Sequence, residues 1–295
     1  MSKPKIIVVV GPTASGKTDL AIELALKFNG EIISADSRQF YIGMDIGTAK
    51  VTSEEIKKVP HHLVNFLTPD QPTNVFDFQN KAFVIIEDIL KRGKLPILVG
   101  GTGLFISAVV ENYTLSEAPV NQELRNTLEK LSLEEKIKKL LEFNPDINID
   151  FHNERRVARQ LELYILDPSY TPDTAEPKYD ALMIMPNIEK EVLHKKINAR
   201  VEKMFEDGLT TEVENLSKKY GWEAHGMNAI GYREFTGMYD IKNAPTYKLE
   251  EIKEDIKKNT RQLAKRQMTW FRRYKDIFLH QDLEATFKKV SEFLI

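Results

Sequence analysis

Eight residues near the start of the chain, Gly11-Pro12-Thr13-Ala14-Ser15-Gly16-Lys17-Thr18, have the spacing G-x-x-x-x-G-K-[ST]. Glycines at the two fixed positions let the backbone wrap an anion so that successive N–H groups face it. The lysine adds a point charge to the outer phosphates, and the Thr18 hydroxyl is a ligand for Mg²⁺. Both flanks suit this chemistry. Lys5-Ile6-Ile7-Val8-Val9-Val10 is a short β-branched run that reads as a buried strand. Asp19 to Phe28 reads as a helix with Leu20, Ile22, Leu24, Ala25 and Phe28 as its apolar content. A helix N-terminus behind the loop favours negative charge there. Two further polar groups follow apolar runs. Asp36, with Ser37, Arg38 and Gln39, ends Glu31-Ile32-Ile33-Ser34-Ala35, and Thr102 lies in Gly100-Gly101-Thr102-Gly103 after Lys94 to Val99. A carboxylate at Asp36 would sit beside the bound phosphates, where it could act as a base.

These groups converge only if their strands belong to one sheet. A fourth run, Ala181-Leu182-Met183-Ile184-Met185, adds a strand, and helical stretches such as Asp77 to Lys91 fall between the runs. Alternating strands and helices predict an α/β fold: a P-loop NTPase-like, parallel, doubly wound sheet with its ligands beyond the carboxyl ends of the strands. From about Val120 to Asp167 the pattern changes to charged helices, with Lys130 to Leu141 at helical spacing, and Pro168, Pro172 and Pro177 then end it. This segment reads as a helical insertion domain. The expected division is a core of residues 1–115 and 180–295 and an insertion of 116–179.

Composition removes several classes. The chain of 295 residues has no cysteine, which leaves no disulfide, iron–sulfur cluster, cysteine zinc site or thiol nucleophile. The first apolar run is too short for a signal peptide, and no stretch approaches a membrane span. No membrane role and a cytoplasmic location are therefore expected. Phosphate loops usually belong to ATP-binding and other nucleotide-binding proteins. Here the run Leu95 to Val99 ends in Gly100-Gly101 rather than in a Mg²⁺-binding aspartate, and Asn80-Lys81 leads into Ala82-Phe83 rather than a guanine-reading motif. The residues supply a diphosphate cradle and a neighbouring carboxylate without clear nucleoside-triphosphate machinery.

Charge is balanced overall, with Lys+Arg 42 against Asp+Glu 44, but unevenly spread. Lys257 to Lys275 carries Lys257, Lys258, Arg261, Lys265, Arg266, Arg272, Arg273 and Lys275 and no acid. On a helix Lys258, Arg261, Lys265 and Arg272 share one face, while Leu263, Ala264, Trp270 and Phe271 lie on another that packs inward. Arg155, Arg156 and Arg159 form a second cluster opposite Val157, Leu161 and Tyr164. Such unbalanced stripes point to a polyanion, with nucleic acid the leading candidate.

At this point the chain resembles the tRNA dimethylallyltransferases, the bacterial tRNA isopentenyltransferases. Besides the phosphate loop and Asp36-Ser37-Arg38-Gln39, the resemblance rests on Gly47-Thr48-Ala49-Lys50, Pro60-His61-His62-Leu63, Gly100-Gly101-Thr102-Gly103-Leu104, Arg155-Arg156-Val157-Ala158-Arg159, Gly231-Tyr232-Arg233-Glu234 and Arg261-Gln262-Leu263-Ala264-Lys265-Arg266-Gln267. It implies transfer of a dimethylallyl group from dimethylallyl diphosphate to N6 of the adenosine 3′ of the anticodon, tRNA position 37, in tRNAs that read codons beginning with uridine. It assigns Gly11 to Thr18 to the diphosphate with Mg²⁺ on Thr18, and Asp36, Thr102, Arg233 and Lys17 to the reacting centre. It sets Asp36, Ser37, Arg38, Gln39, Thr102, Arg155, Arg156, Val157, Ala158, Arg159, Arg261, Lys265 and Arg266 against the anticodon stem-loop of tRNA. Eukaryotic members carry a C-terminal zinc finger; a chain without cysteine is expected to carry none and looks bacterial in type. A monomer is expected.

Other readings stay open on the residues alone: an adenylate isopentenyltransferase, a small-molecule kinase, or an RNA-binding module without catalysis. His61 and His62 would point to opposite faces of a strand and lack further metal ligands nearby. Phe40 and Tyr41 suit either a prenyl pocket or the core, and Trp270 suits the core.

Overall fold

The computed structural model describes residues 3–115, 121–147, 149–168, 175–238, 240–241 and 243–295. Pro172, one of the three expected breakers, lies outside them. Contacts divide the chain into two compact units, Met1–Asn112 with Glu176–Ile295, and Tyr113–Ala175. The division falls three to four residues before each expected boundary.

The first unit is built on β1 (Lys5–Val10), α1 (Lys17–Lys27), β2 (Gly30–Ser34), α2 (Ser53–Lys58), β3 (His61–His62), α3 (Val75–Lys91), β4 (Leu95–Gly100) and α4 (Gly103–Val110). After the second unit it continues with β5 (Asp180–Pro186) and then four helices and a strand that are ranged below. The last strand of the chain, Phe278–His280, completes a sheet of six strands among the described residues, all parallel. Calling that strand β6, the order is β3-β2-β4-β1-β5-β6. Every strand expected from sequence is present, β1 with the same ends and the other three with ends shifted by a residue, and β3 and β6 are additions. Both are too short to carry a periodic apolar signal.

The sheet is buried on both faces, as an all-parallel sheet must be. Ile6, Val8, Val10, Ile33 and Leu98 point to one face and pack with Phe78, Ala82, Ile86 and Ile89 of α3 and Phe105, Ile106 and Val109 of α4. Ile7, Val9, Ile32, Ile97 and Val99 point to the other and pack on Leu20, Ala21, Leu24 and Ala25 of α1. Phe40 belongs to the first layer, stacked at 5.9 Å on both Phe78 and Phe105, and Tyr41 is buried in a neighbouring cluster. Both are therefore core residues.

That neighbouring cluster is formed by α8 (Lys190–Glu206), α9 (Leu209–Tyr220), two 3₁₀ turns (His225–Asn228 and Arg233–Phe235) and α10 (Thr246–Phe271), with Met44, Val201, Val213, Tyr232, Phe235 and Ile256 at its centre. The chain ends in α11 (Leu283–Leu294), whose Val290 joins the second sheet face. The second unit has α5 (Gln122–Glu129), α6 (Leu133–Phe143) and α7 (Glu154–Leu166) around its own core of Leu128, Leu140, Val157, Leu161 and Tyr164. Its buried Glu162 is held by Arg125 at 3.1 Å and Arg159 at 2.8 Å. Among the described residues no helix is long and apolar enough to cross a membrane.

One charged network closes the amino-terminal end of the sheet. Glu31 of β2 is almost fully buried and receives Arg92 at 2.5 and 2.8 Å, Lys94 at 2.7 Å and His62 at 2.8 Å. Hydrogen bonds from Arg92 first, then from Lys94 and His62, outweigh burial and hold its carboxyl well below the usual range. A depressed carboxyl pKa stabilises the fold above the unfolded value, near pH 4.3, and that contribution fades as pH falls below it. Glu31→Gln should cost about 2 kcal/mol at neutral pH, the scale of hydrogen bonds to charged groups, and lower Tm by roughly 4–8 °C. The gap between wild type and variant should shrink when melts are repeated from pH 5 down to pH 3; a gap that stays constant would show that the carboxylate's charge is not what stabilises this end.

Candidate active site

Parallel register brings the chemistry together. Val10 pairs with Gly100, and Ser34 with Val99, so β1, β4 and β2 end side by side. The phosphate loop follows β1, Gly101-Thr102 follows β4, and Asp36 to Gln39 follow β2. The loop turns into α1 through Gly16 at φ 86°, a left-handed conformation that glycine adopts without strain. Ala14 adopts φ 64° in the same loop, and Ser15 Oγ is buried with no partner among the described residues. Both are marks of a loop shaped for a ligand rather than for its own hydrogen bonding.

Two cavities open at these strand ends. The smaller, about 220 Å³, is lined by Thr13, Gly16, Lys17, Thr18, Asp36, Gln39 and Arg200. The larger, about 380 Å³, is lined by Asp36, Ser37, Arg38, Thr102, Arg233, Leu263, Arg266, Gln267 and Trp270. Thr13, Asp36, Thr48, Ala49 and Arg200 line both and form the partition between them. All these residues lie in the first unit.

Asp36 sits at that partition. Its Oδ1 accepts the backbone N–H of Arg38 at 3.0 Å, which orients it, and it forms no ion pair among the described residues. Beside it, Thr102 Oγ1 accepts the N–H of Ser37 at 3.2 Å instead of capping α4. The two strand ends thereby hold each other. Lys17 Nζ reaches Pro12 O at 3.3 Å. Burial brings its pKa down to about 8, against the opposing pull of Asp36, and the positive charge of Arg200 adds to the lowering.

The far wall comes from α10, through Gln267. Its Oε1 accepts the N–H of Thr13 at 2.9 Å and its Nε2 donates to Gly101 O at 3.0 Å. One amide thus ties the helix to the phosphate loop and to the end of β4. A Cβ at Gly101 would stand 2.2 Å from that Nε2, and one at Gly103 2.4 Å from the Trp270 indole, so both positions require glycine. Trp270 is half-buried, and its Nε1 donates to Ser107 Oγ at 3.1 Å. The expected inward face of α10 is therefore split: Ala264 and Phe271 are core, while Leu263 and Trp270 line the larger cavity.

The expected unbalanced basic run is partly paired. Lys257 is not a free surface charge; it is buried and held by Glu202 and by Glu254 at 2.7 Å. Arg273 pairs with Glu111 at 2.8 Å. Arg272, Arg273 and Lys275 lie beyond the end of α10. Lys258, Lys265 and Arg266 remain exposed, and Arg261 donates to Asn198 Oδ1 at 2.7 Å. In the second unit Arg155 and Arg156 are exposed on α7, but Val157 is fully buried and offers no side chain to a ligand, and Arg159 is engaged by Glu162. Among the described residues no group of three or more His, Cys, Asp or Glu is placed to hold a metal ion. His61 Nδ1 lies 2.8 Å from Val59 O, and His62 serves Glu31.

Sequence reasoning missed Arg200 of α8. It lines both cavities, lies 3.5 Å from Thr13 Oγ1, and has its pKa lowered by burial, with Asp19 and Asp36 acting against that. A lone arginine amid His194-Lys195-Lys196 gives no local signal, since only the tertiary fold turns it inward. Gln267 stood at the end of a quoted motif, but its bridging role depends on two loops more than 160 residues away.

A family model described as IPP transferase matches residues 39–274, and one described as isopentenyl transferase matches residues 4–65. Proteins named tRNA dimethylallyltransferase are similar over the full length. That of Lactococcus lactis subsp. cremoris (strain MG1363) is 42% identical over 302 residues, covering all of both chains. That of Staphylococcus carnosus (strain TM300) is 41% identical over 290 residues, 94% of this chain and 90% of the other. The full-length tRNA isopentenylpyrophosphate transferase of Bacillus halodurans superposes with a TM-score of 0.72 at 38% identity, over 99% of this chain and 96% of that one. A eukaryotic dimethylallyltransferase, described as acting on tRNA, superposes with a TM-score of 0.77 at 31% identity, over 91% and 70%. Full-length identity, a shared fold and the phosphate loop set beside Asp36 lead to one assignment: the chain belongs to the IPP transferase family.

Proposed function

We propose that this chain is a tRNA prenyltransferase of the cytoplasm. It moves a dimethylallyl group from dimethylallyl diphosphate to N6 of the adenosine immediately 3′ of the anticodon, in tRNAs reading codons that begin with uridine. The observation that carries the reading is the pair of cavities meeting at Asp36, one lined by the phosphate loop and the other by Thr102, Arg233 and Trp270. A diphosphate and a base each need one of them. The identity of the relatives disfavours the alternatives of a kinase or a free-nucleotide enzyme.

The reacting bonds follow from that arrangement. The N6 lone pair attacks C1 of the allylic group, the C1–O bond breaks, and its electron pair leaves on the diphosphate. Loop amides, Lys17 and Arg200 face the smaller cavity and neutralise that charge where it develops. Asp36 accepts the N6 proton, which frees the lone pair as the new bond forms. The Thr102 hydroxyl keeps the Asp36 turn in place and faces the cavity that would take the adenine. Arg233 and Arg266 line the larger cavity and suit phosphates that flank the flipped base. Splaying a base out of a single-stranded loop costs little, which suits an anticodon-loop substrate. Exposed Lys258 and Lys265 on α10, and Arg155 and Arg156 on α7, supply contacts to the stem-loop phosphates.

The Thr18 hydroxyl lines the smaller cavity, a single hard oxygen donor that fits Mg²⁺ held chiefly by phosphate oxygens and water. When bound, the ion supplies further positive charge to the diphosphate.

Asp36→Asn keeps the shape and removes the base. Turnover should fall about 10²–10⁴-fold with donor affinity unchanged or raised, measured by single-turnover transfer to tRNA and by donor titration. Retention of most turnover would move the base elsewhere.

Lys17 gives a pH dependence. Its pKa near 8 in the free protein should rise when an anion binds against it, so above pH 8 donor binding takes up a proton. Affinity for dimethylallyl diphosphate should therefore weaken between pH 8 and pH 10, up to about tenfold per unit. Calorimetry at pH 9 in buffers of different ionisation enthalpy reads the uptake directly; no uptake would mean that Lys17 does not meet the diphosphate.

Replacing Lys258 and Lys265 together with Ala should weaken tRNA binding and reduce the log–log salt slope by about one per lost contact. Donor binding should not move. An unaltered slope would leave this face as plain solvated surface.

A further inference from the structure

One carboxylate outside both cavities has an unusual set of partners. Glu212, on α9, accepts three consecutive backbone N–H groups: Asp45 at 3.0 Å, Ile46 at 2.9 Å and Gly47 at 3.0 Å. It also accepts the Tyr232 hydroxyl at 2.6 Å. Successive amides converging on one point make an anion site, and here the protein's own side chain fills it. Nothing in α9 needs this bond. The segment it grips does, because Gly47, Thr48 and Ala49 line the larger cavity and Thr48 and Ala49 also face the smaller one.

The grip extends in two directions. Ala49 is held at φ 46°, and its carbonyl accepts Gln39 Nε2 at 3.4 Å, while Gln39 N–H bonds Asp36 O at 3.2 Å. The wall is thereby linked to the turn that presents the base. On the other side Tyr232 is fully buried, and its ring lies so close to Gly47 that a Cβ there would stand 2.5 Å from it. Tyr232 immediately precedes Arg233, which lines the larger cavity.

We propose that Glu212 is a positioning residue for the transfer reaction: by filling the amide site of Asp45 to Gly47 and receiving Tyr232, it locks the wall of both cavities to the turn that carries Arg233. This rests on the prenyltransferase reading above. Glu212 touches no substrate. It acts by fixing two segments relative to each other, whereas Lys50 on Asp45 at 2.7 Å and the Gly231 N–H on Glu234 at 2.8 Å tie each segment separately.

Glu212→Gln keeps the volume but turns an amide N–H₂ toward three N–H donors, so the site cannot remain filled as it is. The variant should lose about tenfold or more in kcat for transfer to tRNA. KM for dimethylallyl diphosphate should stay within about threefold, because the loop amides and Lys17 do not depend on Glu212. Wild type is assayed in parallel. An inactive wild type would overturn the prenyltransferase reading itself, whereas an active wild type with an equally active, folded variant would overturn only the role of Glu212. A fall in activity that merely matches the unfolded fraction, or a raised donor KM at unchanged kcat, would also overturn it. If Glu212→Gln does not fold, Tyr232→Phe decides. It removes one hydroxyl and leaves the three amide bonds, and should lower kcat at least threefold with Tm within a few degrees; unchanged kcat would overturn the proposal.

Discussion

The amide of Gln267 holds the reaction centre together. Its oxygen takes the N–H of Thr13 and its nitrogen gives to Gly101 O, so a single side chain spans the loops after β1 and β4 from a helix 254 and 166 residues downstream of them. The two loops are neighbours only because Val10 and Gly100 are in register. Glycine at 101 is the corresponding requirement on the other side, since any side chain there would displace the amide. The bridge adds a polar tie to the packing of Ala264 on Ala14 and the bond from Trp270 to Ser107, which also set α10 beside the phosphate loop.

Around that bridge the charges are arranged by burial rather than by pairing. Lys17 and Arg200 both have pKa values lowered by desolvation, and Asp36 partly offsets this in each case. A site whose cations are uncomfortable without an anion has a built-in preference for a highly charged leaving group. The opposite end of the sheet shows the contrary design: Glu31 is saturated by Arg92, Lys94 and His62, with no capacity left for a ligand. The strand β2 therefore carries a satisfied carboxylate near its start and, just past its end, one without an ion pair among the described residues.

Much of the core was legible because local and global signals agree. The β-branched runs, the glycine spacing of the phosphate loop and the polar residues after each strand all follow from period and turn chemistry. What escaped depends on contacts distant in sequence. Arg200 and Glu212 lie on helices of mixed charge, where nothing marks one ionised residue as inward and its neighbour as solvated. The basic run from Lys257 was over-read for a related reason: Glu202 and Glu111 lie on other elements and Glu254 lies just before the run, so the cluster appears unbalanced only when its own residues are counted. Val157, fully buried between exposed Arg156 and half-buried Ala158, shows that a helical motif also carries residues of the core.

The second unit leaves and rejoins the first at a single point. Asn112 Nδ2 donates to the carbonyl of Glu176 at 2.9 Å, so the two ends of the sheet unit are within a hydrogen bond of each other although 64 positions separate them. The second unit has its own apolar centre and its own buried ion pairs. It is therefore a module in the topological sense, a side branch on a continuous scaffold. A change of its length or sequence therefore need not alter the strand order of the first unit or the chemistry at its strand ends.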